Sequence, residues 1–282
     1  MVEEVIRLIA SFCAGMLMSI MGSFIQLRSQ NILASTSTIG LDSLSILWIL
    51  IFHSIAILLG IHFSFSSQLL IGIVVFSIFG LYLSKMSGKS FQIQKILLLG
   101  LGLNLFVGAL YSLWQFLFLA FNFDFPTEII FGHFRFVQTR DLYPIIIALG
   151  LFLIGFKKYW KELNIFSTGL DITQLSGGDY QKMTRYFLVI SSVTIFLLIF
   201  LFGGFAFLGL VLPIMARSLW FSRFDLKGEF IFGSIFNGLA FMLIDFVCYL
   251  FPVMGAEIPV GLLAGVIGSL SLILILRKTN TW

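Results

Sequence analysis

Charged side chains are scarce in this sequence, and their scarcity limits the solvent that can surround the folded chain. They make up 11% of the 282 residues, whereas 59% are hydrophobic and Phe alone contributes 34. A water-soluble domain of this size must cover itself with polar groups, and this composition cannot supply them. Apolar runs of about 20 residues, without short alternating segments, predict an all-α polytopic membrane protein rather than a barrel.

Cysteines, histidines and phosphate-binding motifs are equally sparse. The two cysteines, Cys13 and Cys248, lie inside apolar runs, so a disulfide framework is not expected. The three histidines lack metal-ligand spacing, and no nucleophile, metal set or acid-base pair clusters near one face. A glycine-rich loop followed by Lys-Ser or Lys-Thr is also missing. We therefore expect no catalytic residue, no metal site and no directly bound cofactor.

The apolar runs predict nine membrane segments in a single domain, 1–282. We place them at 5–26, 42–61, 68–85, 95–120, 141–156, 184–203, 205–217, 229–251 and 257–276. The seventh segment has about 13 residues and is too short to cross a membrane alone at about 1.5 Å per residue. We expect it to be held among the other helices or to continue as a helix into the polar loop after Arg217.

The basic residues indicate an orientation in the membrane. With the N-terminus outside, fourteen of the seventeen basic residues fall in inner loops, and only Arg7, Arg135 and Arg140 stay outside. This is the distribution of the positive-inside rule, and it requires that 205–217 crosses. We expect a plasma-membrane protein with a cytoplasmic C-terminus. The net charge of +4 is explained by this topology, so no nucleic-acid partner is expected.

Three polar residues lie deep in the predicted spans, where an ionisable group is a functional candidate. Asp245 is interpreted as a helix–helix hydrogen-bonding group or an acid near an aqueous cavity, in preference to a proton carrier. Asp42 is interpreted as a helix cap. Asn104 shares its span with Gly100 and Gly108, and both a packing role and a pathway-lining role remain open.

The long polar interval 157–183 carries helix start and stop signals. Asp171 can begin a short helix and Gly177-Gly178 can end it before the next span. Two short helices around 163–182, standing on the inner face of the membrane, would suit docking into a cleft of a partner protein. The alternative is a solvated loop.

Several stretches of the sequence resemble, in order, the motifs of one transporter family. They are QNILASTSTIG, LLLGLGLN ending at Asn104, IIFGH, GFAFLGLVLPIMAR with Gly204, Gly209, Pro213 and Arg217, the region of Asp245, and AEIPVGLLAGVIG with Glu257, Pro259 and Gly261. The family is that of the permease subunits of ABC importers for iron-siderophores, haem and vitamin B12. The resemblance covers almost the whole chain.

The resemblance implies a type II ABC importer permease fold, which has ten spans in the family. This sequence starts where the family's second span begins, so either the first span is missing or the start of the sequence was placed late. It implies partners: an ATP-binding cassette ATPase dimer carrying ATP and Mg²⁺, a second permease subunit, and an extracytoplasmic substrate-binding protein. An iron chelate, siderophore or haem, would cross by alternating access. The residues implied to couple to the ATPase are Leu170, Asp171, Leu175, Ser176, Gly177 and Gly178, and those implied to line the pathway are Gly100, Asn104 and Gly108.

The sequence also departs from the family. Of the outer-face arginines that meet acidic residues of the binding protein, only Arg7 lies near the first position, and Tyr249 stands at the later one. A non-identical second permease subunit would supply the missing charge, which favours a heterodimer. The alternatives are a secondary transporter using Asp42 and Asp245 as ion carriers, although paired broken helices in two matching halves are not visible, and a transport-inactive structural subunit.

Overall fold

A computed structural model of the chain describes residues 2–60, 63–86, 93–121, 130–167, 180–205, 208–219, 226–253 and 257–278. Within these ranges the chain forms nine α-helices, which confirms the all-α prediction. They are α1 Val2–Ser29, α2 Leu41–Leu59, α3 Phe65–Met86, α4 Ile93–Ala120, α5 Thr139–Ser167, α6 Tyr180–Phe202, α7 Leu208–Leu219, α8 Leu226–Leu250 and α9 Val260–Lys278.

Seven helices, α1 to α6 and α8, are long and apolar enough to cross a membrane. The shorter apolar helical stretches are α7, with 12 residues, and Val260–Ser271 of α9. A 12-residue helix extends about 18 Å, less than the about 30 Å of a hydrocarbon core. Almost all of α7 from Leu208 to Ala216 is buried, so it is held among the other helices as predicted.

Helix α1 lies at the centre of the bundle. In the most apolar stretch of α1, 78% of the residues are buried, compared with 11% in the corresponding stretch of α4. Small residues let α8 approach it: a Cβ at Gly15 would lie 3.1 Å from the Cα of Gly238, and Asn237 donates to the hydroxyl of Ser19 at 2.7 Å. Close backbone approach at small residues is how helices pack in membranes, where burial alone drives little association.

Helix α1 carries polar contacts at both of its ends, and these define the two ends of the bundle. At the Arg7 end, Arg7 pairs with Asp245 of α8. At the Arg28 end, Arg28 donates to Thr184 of α6, and Arg217 at the end of α7 donates to Gln26. The C-terminus of α7 therefore lies at the Arg28 end of the bundle, as expected if this segment crosses the membrane toward that end.

Helix α5 differs from its prediction. Its predicted span stops at residue 156, but the helix continues to Ser167 with a bend at Tyr159 (φ −111°, ψ 21°). The lysines after residue 156 suggested an end to the span. However, Tyr159 packs on Phe187 and Phe166 lies beneath the Arg28 guanidinium, so an apolar face continues beyond the lysines. Burial of this face keeps the chain helical.

Asp42 does not cap α2, so that prediction is wrong. Gly40 occupies the N-cap position with φ 86° and ψ 8°, and no side chain caps the helix there. This left-handed backbone suits glycine, which has no Cβ to clash. Asp42 lies instead in the first turn, where the helix dipole favours a negative charge.

Gly22 offers a test of the packing between α1 and α7. A Cβ at Gly22 would lie 1.9 Å from the carbonyl oxygen of Gly209 and 2.8 Å from Cγ of Pro213, whereas one at Gly102 of α4 would meet open space. We expect Gly22→Ala to destabilise the protein by about 1–3 kcal/mol through overpacking. Thermal denaturation in detergent should show a lower midpoint for Gly22→Ala but not for the control Gly102→Ala. Equal midpoints would contradict the close approach.

Candidate functional site

Two non-helical segments and the first turn of α9 meet inside the bundle between α6 and α7, at what we term the glycine junction (Gly132, Gly204 and Gly261). The N–H of Gly132 donates to the carbonyl of Gly204 at 2.7 Å, and the N–H of Gly261 donates to the carbonyl of Gly132 at 3.1 Å. His133 N–H donates to the carbonyl of Phe202 at 2.8 Å. Peptide groups outside a helix find no water in a membrane, so these bonds allow the chain to break here.

The glycine junction leaves no room for side chains. A Cβ at Gly204 would lie 2.7 Å from the carbonyl oxygen of Ile130, and one at Gly261 would lie 2.6 Å from that of Gly204. Gly203, just before, has φ 85°, a conformation that favours glycine. The contacts give a physical reason for two motif residues, Gly204 and Gly261, in the sequence.

Pro213 interrupts the hydrogen bonding of α7, and α1 packs against the place of the interruption. Because proline has no N–H, the carbonyl of Gly209 four residues earlier loses its helical donor. Gly22 of α1 lies directly against this carbonyl. The next carbonyl, that of Leu210, accepts from the side-chain amide of Gln26 at 3.1 Å. Proline is tolerated in membrane helices where neighbours supply such contacts.

Arg217 fastens the other end of α7. Its Nε donates to Glu229 of α8 at 2.6 Å, and its Nη2 donates to the side-chain oxygen of Gln26 at 2.6 Å. Gln26 therefore binds α7 both near its start, through Leu210, and near its end. The charged terminus of α7 is held by α1 and α8 together.

The Arg7 cluster (Arg7, Asp245 and Glu257) ties three parts of the chain at the opposite end. Arg7 binds the Asp245 carboxylate through Nε and Nη2, at 3.0 and 2.7 Å, and Glu257 through Nη1 at 2.7 Å. Asp245 is fully buried. Bidentate pairing of this kind is strong and directional. The interpretation of Asp245 as a helix–helix hydrogen-bonding group is confirmed, and its partner is Arg7.

Arg7 and Tyr249 are both engaged inside the chain. Arg7 is 9% exposed, and its guanidinium lies 5.1 Å from the centroid of the Tyr249 ring. The Tyr249 hydroxyl donates to Glu4 at 3.0 Å. The resemblance placed Arg7 near a position at which family members contact the substrate-binding protein. In this structure its guanidinium is instead committed to ion pairs within the chain.

The residues predicted to line a pathway on α4 have different surroundings. A Cβ at Gly100 would lie 2.1 Å from the carbonyl oxygen of Thr38. Asn104 donates to the carbonyl of Ser37 at 2.8 Å and accepts from the hydroxyl of Ser43. These two positions pack on the segment before α2 and on the first turn of α2. A Cβ at Gly108 would meet no other part of the chain that the structure describes. The assignment of Gly100, Asn104 and Gly108 to a translocation pathway stays a prediction.

The predicted coupling residues lie outside the described residues, within 168–179. They are Leu170, Asp171, Leu175, Ser176, Gly177 and Gly178. The described chain on either side is informative, because the rings of Phe166 at the end of α5 and Tyr180 at the start of α6 are 6.2 Å apart. The helix ends on either side of the segment therefore lie close together, at the Arg28 end.

Pro259 occupies a further motif position. It immediately precedes α9, and its carbonyl accepts from the N–H of Leu262 at 3.1 Å. It therefore contributes to the first turn of α9, next to Gly261 of the glycine junction.

Gln26 and Glu229 were missed as functional candidates by the sequence analysis. Each lies at the edge of a predicted span, where a polar side chain is expected in any case. An amide within an apolar run is a signal for helix–helix hydrogen bonding, and Gln26 carried that signal. In the part of the chain that the structure describes, no group of three or more His, Cys, Asp or Glu side chains could hold a metal.

Comparison with known proteins agrees with this geometry. The model of the FecCD transport family matches residues 4–278. The chain belongs to the FecCD transport family. Among Bacillus subtilis (strain 168) proteins, it is 28% identical over 294 residues to the iron(3+)-hydroxamate import system permease protein FhuG, with 97% of this chain and 82% of FhuG covered.

Two further relatives come from the same organism. The petrobactin import system permease protein YclO is 25% identical over 217 residues, covering 75% of this chain and 67% of YclO. The uncharacterized ABC transporter permease protein YvrB is 27% identical over 205 residues, covering 71% of this chain. That match spans 56% of the length of YvrB.

Two solved structures show the fold of this FecCD-family chain. One is an inward-facing conformation of a metal-chelate type ABC transporter, with a TM-score of 0.74, 20% identity and coverage of 97% of this chain and 85% of that one. The other is PsaBC from Streptococcus pneumoniae in complex with Fab, with a TM-score of 0.54, 21% identity and coverage of 94% and 89%. The predicted type II ABC importer permease fold is confirmed.

The Arg7 cluster can be tested by removing one charge or two. We expect Arg7→Met to destabilise the protein by about 3–5 kcal/mol, because it leaves the buried Asp245 carboxylate without its partner. The double variant Arg7→Met/Asp245→Leu should recover much of the loss, because no unpaired charge remains at the buried position. Thermal denaturation in detergent measures both. A double variant that is less stable than Arg7→Met would contradict this account.

Proposed function

We propose that this FecCD-family chain is a permease subunit of an ATP-driven importer for an iron chelate, a siderophore or haem. The observation that carries the proposal is the family match over residues 4–278. The names of FhuG and YclO, which concern iron(3+)-hydroxamate and petrobactin, support an iron-chelate substrate.

In this proposal the two ends of the bundle serve different partners. The Arg28 end faces the cytoplasm, and the segment 163–182 contacts an ATPase dimer that binds ATP and Mg²⁺. The Arg7 end faces outward, toward a substrate-binding protein. The charge distribution supports this orientation, because Arg28, Arg217 and the lysines of α5 lie at one end.

Alternating access would act through elements held on α1. Helix α7 is fixed at the Arg28 end by Gln26 and Glu229, and its start follows the glycine junction. Movement of the ATPase would be transmitted to the interior of the bundle through α6 and α7, because both helices are hydrogen-bonded to α1. The pairing of Asp245 with Arg7 gives no support to an ion-carrying role for that carboxylate.

The second permease subunit is proposed to be a different chain. Arg7 is committed to Asp245 and Glu257, so it offers little charge to an acidic binding protein. A non-identical permease subunit would supply the missing basic groups.

The orientation can be tested by labelling single cysteines with an impermeant maleimide in intact cells. The native Cys13 and Cys248 are 8% and 0% exposed, so their background reactivity should be low. We expect Gln138→Cys, exposed near the start of α5, to react, and Lys161→Cys, exposed at the Arg28 end, to react only after the cells are opened. The reverse pattern would contradict the orientation.

Coupling to the ATPase can be tested at Leu175. In the assembled complex purified through a tag on this chain, we expect Leu175→Asp to abolish substrate-stimulated ATP hydrolysis, because a charge would enter an apolar docking contact. Membrane insertion, measured by the yield of folded chain, should be unchanged.

The matched control is Leu219→Asp, which places the same charge at a leucine that is 45% exposed and outside 163–182. Its complex should keep stimulated hydrolysis, and unaltered hydrolysis in Leu175→Asp would contradict the docking role.

Mass spectrometry of the purified complex should also find a non-identical permease chain. A stoichiometric homodimer with the ATPase would contradict the heterodimer.

A further inference from the structure

The α1–α2 connection (residues 30–40) turns back into the bundle after α1 ends at Ser29. A Cβ at Gly209 of α7 would lie 3.1 Å from Oγ1 of Thr36, and the carbonyl of the same Gly209 lies against Gly22 of α1. Gly22 is about two turns, or about 10 Å, before the end of α1. Thr36 therefore lies well inside the bundle, at the depth at which α1 and α7 pack together.

The other side of the α1–α2 connection packs on α4. A Cβ at Gly100 of α4 would clash with the carbonyl oxygen of Thr38, and a Cβ at Gly40 would lie 3.2 Å from Cβ of Leu103. The side-chain amide of Asn104 donates to the carbonyl of Ser37 at 2.8 Å. The connection therefore lies between α7 and α4 and contacts both helices.

Hydrogen bonds within the α1–α2 connection fix its shape. The N–H of Ser35 donates to the hydroxyl of Thr38 at 2.7 Å, and this hydroxyl donates to the carbonyl of Ser35 at 3.0 Å. The N–H of Leu41 donates to the carbonyl of Thr36 at 3.1 Å, which ties Thr36 to the first residue of α2. Ser35 and Thr36 are 0% and 1% exposed. A closely packed, internally bonded segment transmits a displacement because it has little room to deform.

Helix α4 depends on this part of the chain for its position. Only 11% of the residues in its most apolar stretch are buried. It also stacks on α2 through Phe118 and His53, whose ring centroids are 6.2 Å apart. Because the connection runs directly into α2, these attachments of α4 belong to one continuous part of the chain.

We propose that the α1–α2 connection positions α4 relative to α7, with Thr36 and Asn104 as its positioning residues. Thr36 contacts α7, and Asn104 binds the connection to α4. The functional consequence rests on the proposed transport function: a movement of α7 that follows the ATPase would change the position of α4, the helix predicted to line the pathway. Thr36 itself is too deeply buried to touch a transported substrate.

A double-mutant cycle on the full chain tests the positioning without any transport measurement. The methyl group of Gly209→Ala would press on Oγ1 of Thr36. We expect Gly209→Ala to lower the midpoint of thermal denaturation in detergent, and to lower it less in an Asn104→Leu background, because a connection released from α4 can move away from the methyl group. Distant sites without shared partners usually have additive effects, so a difference between the backgrounds reports the connection.

The matched control background is Gln115→Leu, which replaces an exposed amide side chain on the same helix. There Gly209→Ala should change the midpoint as it does in the wild type. The same change in all three backgrounds, or an equally reduced change in both leucine backgrounds, would overturn the proposal.

The consequence for transport is tested at Thr36 in the assembled complex, reconstituted in liposomes with its ATPase and binding protein. The probe is radioactive iron(III) bound to a trihydroxamate. Thr36→Ala removes the atoms that fill the space between the connection and α7, so we expect ATP hydrolysis to persist with a loss of iron taken up per ATP. Thr36→Ser keeps Oγ1 and should restore this ratio.

Two outcomes separate the positioning from the transport function. An unchanged ratio of uptake to hydrolysis in Thr36→Ala, or a loss that Thr36→Ser shares, would overturn the role of Thr36. Absence of uptake in the wild type would instead contradict the proposed function, and the denaturation cycle would still decide whether the α1–α2 connection positions α4.

Discussion

Peptide groups that leave a helix inside a membrane must find their partners within the protein, and this requirement shapes the middle of the chain. Helix α6 ends at Phe202, and Gly204 and Phe205 lie outside any helix before α7 begins at Leu208. The bonds from Gly132 to Gly204 and from Gly261 to Gly132 join three distant segments at this break. Without these hydrogen bonds, the peptide groups at the break would be buried without partners, and the 12-residue helix α7 would not be stable in the interior of the bundle.

The central helix α1 connects this break to both polar ends. Gly15 admits α8, Gly22 admits α7, and Gln26 satisfies a carbonyl beside the one that Pro213 leaves without a donor. At its first turns, Arg7 holds α8 and the segment before α9 by buried ion pairs. Small residues set the distances between the helices, and a few charged or amide groups fix their positions along one another.

The sequence alone predicted the helices well, because membrane spans are local features of hydropathy. The close approaches at Gly15 and Gly22 agree with the general rule that small residues let membrane helices pack closely. The bend at Tyr159 did not, because the contact with Phe187 that keeps the helix buried depends on a neighbour from α6. Arg7, the partner of Asp245, and Gln26, one of the two partners of Arg217, lie 238 and 191 residues away in the chain, a separation that no local pattern reveals. The family motifs located Gly204 and Gly261 but not their hydrogen bonds.

Helix α4 makes unusually few contacts within the chain. Leu98, Leu105 and Phe116 on it are each about two-thirds exposed, whereas Asn104 is hydrogen-bonded to Ser37 and Ser43 and Phe118 stacks on His53 of α2. Contacts along one face of a helix leave the opposite face uncovered. The exposed apolar face of α4 must therefore be covered by whatever surrounds this subunit.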